Sequence, residues 1–355
     1  MILTNSPYYL SIPWKSPASE TVPNKYIIQI YVWNGLKAEP PTSPTYEVEN
    51  ENPLLLTGSN DVNISPFVND VLKVNLNKGN NTGVTDADCA VWVKTEVIYY
   101  INDVAQSAQF TSTDLAVKGY GYGIEGKNTT IPANNVLAFG EFVNVSRFSQ
   151  FTLPIKISEV SETQITIISY PDNDLEFLFD IGSTSESNKT IQNLFVVVGQ
   201  SGADNRIEIK KNGILIHTLN IVDELRYTPF DVYFVNKYGA LSSMSFFKEV
   251  VNTLKVTSEK YESSAGQPNS GVHQLSTYNK KATKEFKAKT GFILEENNEI
   301  IKQLLFSQSV WILEGNLFNP VNITTNSLEE QTRQKDRLLN YELSFEYAYN
   351  EINNI

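Results

Sequence analysis

The amino-acid sequence predicts a mainly β protein, built from two or three antiparallel β-sandwich-like domains with one or two short helices. Composition is the first indication, because 18 Tyr and 18 Phe within 41% hydrophobic residues favour strands and can fill packed cores. The second is a pattern of short β-branched and aromatic runs that alternate with breaks rich in Gly, Pro and Asn. Length is the third, since 355 residues exceed one ordinary domain.

These patterns divide the chain into four segments. Residues 1–23 carry several prolines and predict an extended N-terminal arm, which packs either on its own domain or across a neighbouring subunit. Residues 24–150 and 151–258 predict two β-sandwich domains, the second with a central hairpin. Residues 259–355 predict a C-terminal β-rich segment with one helix. Its first part, residues 259–278, is rich in Ser, Gly and Pro and predicts a long loop or a linker.

Local signals place individual elements within this order. Residues 26–33 and 90–101 predict strands of the first domain. Ser65 and Pro66 predict a helix start, with Ser65 as the N-cap and Pro66 at the first helical position. In the second domain, Asn212-Gly213 between two β runs predicts a type I′ hairpin, because both residues tolerate positive φ.

The central hairpin of the second domain is predicted from its two apolar runs. Two apolar runs at residues 232–235 and 244–247 flank a turn from Asn236 to Gly239. We expect four side chains of these runs to fill a core: Val232, Phe234, Phe246 and Phe247.

The C-terminal segment contains the strongest helix pattern, residues 295–306, with acidic residues in its first turn and one apolar face. Residues 310–313, 321–325 and 341–347 predict strands. Before the helix lies a lysine patch interleaved with Phe286. It indicates either contact with DNA or an acidic partner, or an edge strand kept soluble by charge. The lysines are Lys280, Lys281, Lys284, Lys287 and Lys289.

Residues 121–128 match a phosphate-binding loop in all but the last position. Asn128 stands where a Ser or Thr hydroxyl would reach magnesium, and Pro132 follows instead of a helix start. A surface loop is therefore predicted. Residues 171–174 and Asp180 carry acids, but they lack the spacing, the central Gly and the final Glu of a calcium loop, which favours a solvated turn.

The remaining reactive residues do not form a recognisable site. His217 and His273 lack the neighbours of a triad or a metal centre, and Cys89 in an apolar context predicts a buried small side chain. We therefore predict no catalytic, cofactor-binding or metal-ligating residues, no cofactor and no enzymatic activity.

Charge and hydropathy argue against some classes of binding partner. The formal net charge of −12 argues against a chain that wraps nucleic acid over its whole surface. The first residues lack the pattern of a cleaved leader, and no run approaches the ~20 apolar residues of a membrane helix. We expect a soluble protein, made in a cytoplasm, with no membrane partner.

Two stretches resemble virion structural proteins of tailed phages that infect Bacteroidetes, including crAss-like phages. The first is Phe230-Asp-Val-Tyr-Phe-Val-Asn-Lys-Tyr-Gly-Ala-Leu, followed by Met244-Ser-Phe-Phe-Lys. The second lies in the C-terminal region, and together the two stretches cover roughly the last third of the chain. It comprises Thr290-Gly-Phe-Ile-Leu-Glu-Glu, Leu305-Phe-Ser-Gln-Ser-Val-Trp-Ile-Leu, Asn319-Pro-Val-Asn-Ile and Leu338-Leu-Asn-Tyr-Glu-Leu-Ser-Phe-Glu-Tyr-Ala-Tyr.

The resemblance implies a neck ring, tail hub or distal tail protein, non-enzymatic and located in the virion after synthesis in the host cytoplasm. The implied partners are copies of itself in a cyclic ring, other neck or tail proteins, and genomic DNA that passes through the channel without sequence-specific binding. The alternative is a carbohydrate-binding or adhesin-like β-sandwich module. Its candidate stacking platforms are Trp14, Trp33, Trp92 and Trp311.

Overall fold

Antiparallel sheets dominate the fold, which confirms the predicted mainly β class with sandwich-like packing and few helices. The structure is a computed structural model. It describes residues 1–13, 23–51, 59–74, 76, 82–86, 90–106, 108, 110–129, 137–138, 142–156, 163–170, 174–181, 191–198, 205–262, 273–315, 317–327 and 338–351.

The described strands are, in chain order, β1 (Ile2–Leu3), β2 (Tyr9–Pro13), β3 (Lys25–Trp33), β4 (Tyr46–Glu51), β5 (Ser59–Asn63), β6 (Gly83–Asp86), β7 (Ala90–Ile101), β8 (Val104–Ala105), β9 (Phe110–Val117), β10 (Phe142–Ser146), β11 (Gln150–Lys156), β12 (Thr163–Tyr170), β13 (Asp174–Ile181), β14 (Ile191–Val197), β15 (Arg206–Lys211), β16 (Ile214–Val222), β17 (Phe230–Val235), β18 (Leu241–Phe246), β19 (Val250–Glu262), β20 (Leu275–Lys289), β21 (Ile293–Leu294), β22 (Val310–Glu314), β23 (Leu317–Ile323), β24 (Leu338–Leu339) and β25 (Glu342–Tyr347). The described helices are α1 (Ser65–Val71) and α2 (Asn298–Phe306), with 3₁₀ turns at Gly123–Glu125 and Glu295–Asn297.

Three units follow from the sheets. In the N-terminal unit a sheet of order β1-β9-β7-β3-β4, with β8 beside β7, shares a core with α1 and the β2–β5 pair. In the middle unit the sheet β10-β16-β15-β12-β13 packs face to face on β11-β14-β6. The C-terminal unit is one sheet of order β18-β17-β22-β23-β25-β20-β19, and α2 packs into its core.

The C-terminal sheet is strongly curled. The rings of Phe246 on β18 and Phe345 on β25 lie 5.7 Å apart, although three strands separate β18 from β25 in the sheet. The backbone N–H of Lys248 donates to the carbonyl of Lys289 at 3.3 Å, which joins the two sides of the curl. The sheet therefore wraps its own aromatic core instead of needing a second sheet.

The first residues pack on their own chain. Ile2 and Leu3 pair in parallel with Ala116 and Val117, and β2 pairs with β5. Ile2, Leu3 and the inward side chains of β2 are buried. Of the two placements predicted for the arm over residues 1–23, residues 1–13 therefore take the one on their own chain, where they pair as strands and bury their alternate apolar side chains. Residues 14–22 lie outside the described residues.

The start of α1 differs by one residue from the prediction. Ile64 is the N-cap, Ser65 is the first helical residue, and the side chain of Ile64 cannot cap. The Oδ1 atom of Asn63 accepts hydrogen bonds from the backbone N–H of Ser65 at 3.2 Å and from its hydroxyl at 2.8 Å. Asn63 therefore satisfies a donor that the helix start would leave unpaired.

The predicted type I′ turn and the long helix are found where the sequence places them. Asn212 and Gly213 have φ of 50° and 78°, the two positive angles that a type I′ hairpin needs. The C-terminal helix spans Asn298–Phe306 after the 3₁₀ turn at Glu295–Asn297.

The predicted division at residues 258 and 259 does not follow the sheets. The central hairpin β17–β18 pairs with β22, so it belongs to the C-terminal sheet. The two ends of the segment predicted as a loop or linker, residues 259–262 and 275–278, belong to the paired strands β19 and β20. In addition, β6 lies within the predicted first domain but pairs with β14 of the middle unit. Strand pairing between distant segments decides all three corrections.

The turn of the central hairpin, residues 236–240, is buried; we call it the hub turn. Only 5% of the Lys237 surface is exposed. Its ammonium pairs with the carboxylate of Glu125 and lies 4.0 Å from the ring centroid of Tyr122. A buried cation is costly unless it is paired, so these two contacts make the burial possible.

The hub turn contacts each of the three units. Its carbonyl at Lys237 accepts from the backbone N–H of Tyr120 at 2.8 Å, next to the end of β9. The amide of Asn236 donates to the carbonyl of Leu137 at 2.7 Å, and the N–H of Leu137 donates in turn to the carbonyl of Pro154 on β11 of the middle unit at 3.0 Å. The backbone N–H of Lys237 donates to the side-chain carbonyl of Gln303 on α2 at 3.2 Å.

The strands behind the hub turn pack on the middle unit. The hydroxyl of Ser243 on β18 accepts from the backbone N–H of Thr152 at 2.9 Å. The hydroxyl of Tyr233 on β17 donates to the carbonyl of Gln150 at 2.6 Å. The hairpin that begins the C-terminal sheet is therefore also the joint between the units.

We expect Gly239→Ala to destabilise the protein more than Gly213→Ala. Both glycines have positive φ, so each alanine costs about 1–2 kcal/mol of strain. A Cβ atom at Gly239 would also lie 2.7 Å from the backbone nitrogens of Lys118 and Gly119, whereas Gly213 faces open space. This overlap adds about 1–3 kcal/mol. Urea unfolding of the two variants measures the difference, and equal losses would contradict the close packing of the hub turn.

Two buried titratable groups lie near this joint. Burial raises the pKa of Asp231 on β17 to about 6, although the hydroxyl of Ser245 donates to it. Burial lowers the pKa of His217 to about 4, and its ring stacks on Phe151 with centroids 5.4 Å apart. In the unfolded chain the ordinary pKa values are 3.8 and 6.5.

These shifts have opposite effects on stability between about pH 4 and pH 6. Folded Asp231 keeps a proton that the unfolded chain has lost, so rising pH lowers the free energy of unfolding. Folded His217 lacks a proton that the unfolded chain still holds, so rising pH increases it. Each slope is at most about 1.4 kcal/mol per pH unit.

We therefore expect Asp231→Asn to gain stability more steeply with pH than the parent across this window, and His217→Phe to gain it less steeply. Chemical unfolding at half-unit intervals of pH measures both slopes, and the parent controls for all other carboxylates. Parallel curves for the parent and both variants would contradict the burial of these groups.

Candidate assembly interface

The pair β19–β20 extends beyond the sheet that carries it. The two strands pair from Val250 with Ala288 to Glu262 with Leu275. On its other side β20 pairs with β25 only from Glu285 to Lys289. We call residues 254–262 and 275–284 the distal ribbon. Apart from the pairing of its own two strands, the distal ribbon makes one backbone hydrogen bond to the rest of the described residues. The N–H of Glu351 donates to the carbonyl of Ala282 at 2.8 Å.

The distal ribbon exposes apolar side chains on both faces. Every residue of β19 from position 251 to 262 is exposed. Leu254 is 61% exposed, and Val256 is 55% exposed. Tyr261, Leu275 and Tyr278 are about as accessible. An isolated two-stranded hairpin is marginally stable in water, so the contacts among the described residues leave this element unsatisfied.

One face of the ribbon leads into a cavity. Val250, Leu254 and Val256 are on the same face as the buried Phe286, because they alternate along β19. At the base of this face lies an open cavity of about 290 Å³ lined by aromatic rings, among them Phe230 and Tyr347. The opposite face is more polar and carries Lys255 and Lys281.

The lysine patch is divided between the two faces. Lys281 and Lys287 lie on the polar face. Lys284 lies on the cavity side, and its ammonium is 5.2 Å from the Tyr347 ring centroid. At its base β20 lies between β25 and β19, so it is an inner strand there and β19 is the outer one. The edge-strand interpretation therefore applies only to the distal part of β20. The contact with DNA or an acidic partner stays a prediction.

Polar contacts hold the ribbon surface in place. The ammonium of Lys255 lies 3.1 Å from the carboxylate of Glu285, and this hydrogen bond raises the pKa of Lys255. Hydrogen bonds from the hydroxyl of Tyr278 and the amide of Asn279 lower the pKa of Glu259. Because these groups are exposed, the contacts order the side chains more than they stabilise the fold.

A second open strand edge lies on the N-terminal unit. Within the described residues, β4 pairs only with β3 and ends its sheet. Its glutamates Glu47, Glu49 and Glu51 are exposed. Tyr46 and Val48, which alternate with them, pack toward the core. Glu49 pairs with Lys25 at 2.9 Å. This edge is acidic on one face and partly apolar on the other.

The loop that resembles a phosphate-binding motif has other contacts. Asn128 bonds both backbone groups of Tyr9, at 2.6 Å and 2.8 Å, and so continues the ladder of β2. Lys127 pairs with Asp61 at 3.2 Å. The motif contains the 3₁₀ turn Gly123–Glu125, and no helix follows it as far as the described Thr129. Its polar groups stabilise the N-terminal unit.

The described tryptophans lie in strands. Trp33 and Trp92 donate their indole N–H groups to the carbonyls of Leu36 at 2.8 Å and Gly35 at 3.1 Å. Trp311 is half-buried in a small cluster with Tyr233. Trp14 lies outside the described residues. These contacts are those of structural side chains.

The remaining candidate residues are dispersed. Asp172, Asn173 and Cys89 lie outside the described residues, and Asp180 accepts from the Gln164 amide at 3.1 Å. His217 is buried and His273 is exposed. In the described part of the chain no group of three His, Cys, Asp or Glu side chains could hold a metal ion. No helix there is long and apolar enough to cross a membrane.

Neither profiles of known protein families, nor curated proteins, nor solved structures give a match to this chain. Neither open edge was predicted from the sequence, although two signals exist. Apolar Leu254 and Val256 alternate with polar residues just before the predicted linker, and Glu47, Glu49 and Glu51 alternate with other residues beside a proline-rich stretch.

We expect the double substitution Leu254→Thr with Val256→Thr to leave the free energy of unfolding within about 0.5 kcal/mol of the parent. Both side chains are more than half exposed, and threonine keeps the β preference. Self-association should weaken, because apolar contact area is lost. Phe286→Ala is the contrast. It removes a buried ring and should cost about 3–5 kcal/mol. Urea unfolding and sedimentation measure the two effects, and a large stability loss in the double variant would contradict an unpartnered ribbon.

Proposed function

We propose that this protein is a non-enzymatic structural protein of a tailed phage virion, of the crAss-like group that its sequence resembles. It forms part of an oligomeric ring or hub in the neck or tail, around the DNA channel. The observation that carries the proposal is the distal ribbon. It is a long, regular, two-stranded element whose apolar side chains are exposed on both faces. Assembly is the physical process that covers such an element.

The ribbon favours a head-to-tail contact between copies. It projects from the C-terminal sheet, whereas the other open strand edge described above lies on the N-terminal unit. When one surface of a subunit meets a different surface of the next, the contact is heterologous, and it closes into a ring if the rotation per subunit allows. The partners are then copies of the same chain, together with other neck or tail proteins.

Charge supports DNA passage without specific binding. The chain carries a formal net charge of −12, and the ribbon lysines are divided between two faces. Tight backbone binding needs clustered cations that neutralise several phosphates at once. A channel made from this chain would therefore bind DNA weakly and let it slide.

The alternative, a carbohydrate-binding or adhesin-like module, has less support. Glycan platforms need exposed aromatic faces, whereas Trp92 is buried and Trp33 and Trp311 are only partly exposed. The aromatic cavity at the base of the ribbon is a feature that fits this alternative.

We expect the purified chain to form closed rings, visible by electron microscopy and as a single multiple of the monomer mass in solution. In a shortened variant, Asn-Gly replaces the distal ribbon from residue 254 to residue 284 and joins the paired Thr253 and Glu285 by a type I′ turn. This variant keeps Phe286 and the other residues of the C-terminal core, so it should fold normally but remain monomeric. Its control is the parent chain under the same conditions. A strictly monomeric parent that binds glycans and does not enter virions would overturn the proposal in favour of the alternative.

A further inference from the structure

We propose that the outer edge of β19 in one copy adds as a strand to the open edge of β4 in the next copy. The inference rests on the proposed function and names the two surfaces that meet. It joins the C-terminal sheet of one subunit to the N-terminal sheet of its neighbour.

Both edges have unsatisfied backbone groups among the described residues. β4 ends the N-terminal sheet, and β19 ends the C-terminal sheet. Six residues of β4 span roughly 20 Å, and the 13 residues of β19 are more than long enough to cover them. Added strands form a regular ladder of main-chain hydrogen bonds, which is how an extended segment docks on a sheet edge.

The side-chain alternation of the two strands is complementary. On β4 the acids Glu47 and Glu49 flank Val48. On β19 the apolar Leu254 and Val256 flank Lys255. With Lys255 opposite Glu49, in either strand direction, both apolar β19 side chains fall on the face of Val48.

This register would bury the apolar side chains of β19 that the single chain leaves exposed. Leu254 and Val256 would extend the apolar face of the N-terminal sheet, where Tyr46 packs against Phe67 of α1 at 5.6 Å between centroids. Lys255 would join the acidic face of β4. It currently pairs with Glu285, and Glu49 pairs with Lys25, so the two pairs would form one alternating charge network.

The charges also select against the wrong pairings. Two β4 edges would bring rows of glutamates together, and like charges directly opposite each other destabilise a strand pair. The β19 edge lacks such an acidic row, so β4 meets it without that repulsion. Because the two edges differ, each subunit offers its β19 edge to one neighbour and its β4 edge to the other. Such a heterologous contact is the condition for a ring.

Disulfide trapping tests the contact. In a background with Cys89→Ser, one protein carries Glu49→Cys and a second carries Lys255→Cys. Mixed and oxidised, they should form a covalent heterodimer, since directly opposite residues bring Cβ atoms close enough to bridge. Leu225→Cys, at a position 97% exposed, replaces Lys255→Cys in the matched control and should give only background product.

Charge reversal provides a second, independent arm. Glu49→Lys and Lys255→Glu should each weaken self-association by roughly 5-fold, and combining both in one chain should restore it. Sedimentation measures these changes. Unfolding measurements on each variant control for the fold, and both positions are exposed.

The outcomes separate the two proposals. Rings without the Glu49→Cys to Lys255→Cys cross-link, or cross-links only between two Lys255→Cys chains, would overturn this edge pairing and leave the ring function standing. A parent protein that forms no assembly at all would overturn both. The heterodimer together with charge-swap rescue supports the pairing.

Discussion

Burial of the hub turn is the constraint on which the rest of the structure depends. Its peptide and side-chain groups contact the N-terminal unit at Tyr120, the middle unit at Leu137 and helix α2 at Gln303. Buried polar groups must be satisfied, and here each unit satisfies a group of the same turn. The ammonium of Lys237 is buried from solvent, and its pairing with Glu125 compensates for the charge. The relative positions of the units are therefore set by hydrogen-bond geometry as well as by apolar packing.

The short link between β18 and β19 fixes the direction of the ribbon. Only residues 247–249 separate β18 from β19, and Lys248 is held by the carbonyl of Lys289 and the carboxylate of Glu224. A strand pair anchored in this way loses little orientational freedom when a partner binds. Preorganisation of this kind lowers the entropic cost of association. The exposed ribbon therefore differs from a flexible loop, and its continuous pairing up to the register shift at residues 257–259 keeps the side chains of Leu254, Lys255 and Val256 in a fixed alternation.

Strand edges connect stability with assembly in this protein. An open edge is an aggregation risk, which natural sheets reduce by charge. The glutamates of β4 fulfil that protective role in the single chain, and in the proposed ring they become the surface that a lysine-bearing strand recognises. The same side chains thus disfavour self-pairing and favour a specific partner. The cavity beside Phe286 remains at the base of the ribbon in either case.

The sequence by itself determined the mainly β class, the Asn212-Gly213 turn, helix α2 and the strands of the central hairpin. Each depends on φ preferences or apolar periodicity within a few residues. Tertiary structure decided what local patterns do not encode. It placed β6 beside β14, joined β17 to β22, and continued β19 through the stretch that the sequence predicts as a linker. It also buried Lys237, a residue type expected in solvent, because Glu125 meets it from 112 residues away. The open edges of β4 and β19 were hidden from sequence for the same reason, since an edge is a strand side with no partner strand, and partners come from distant segments.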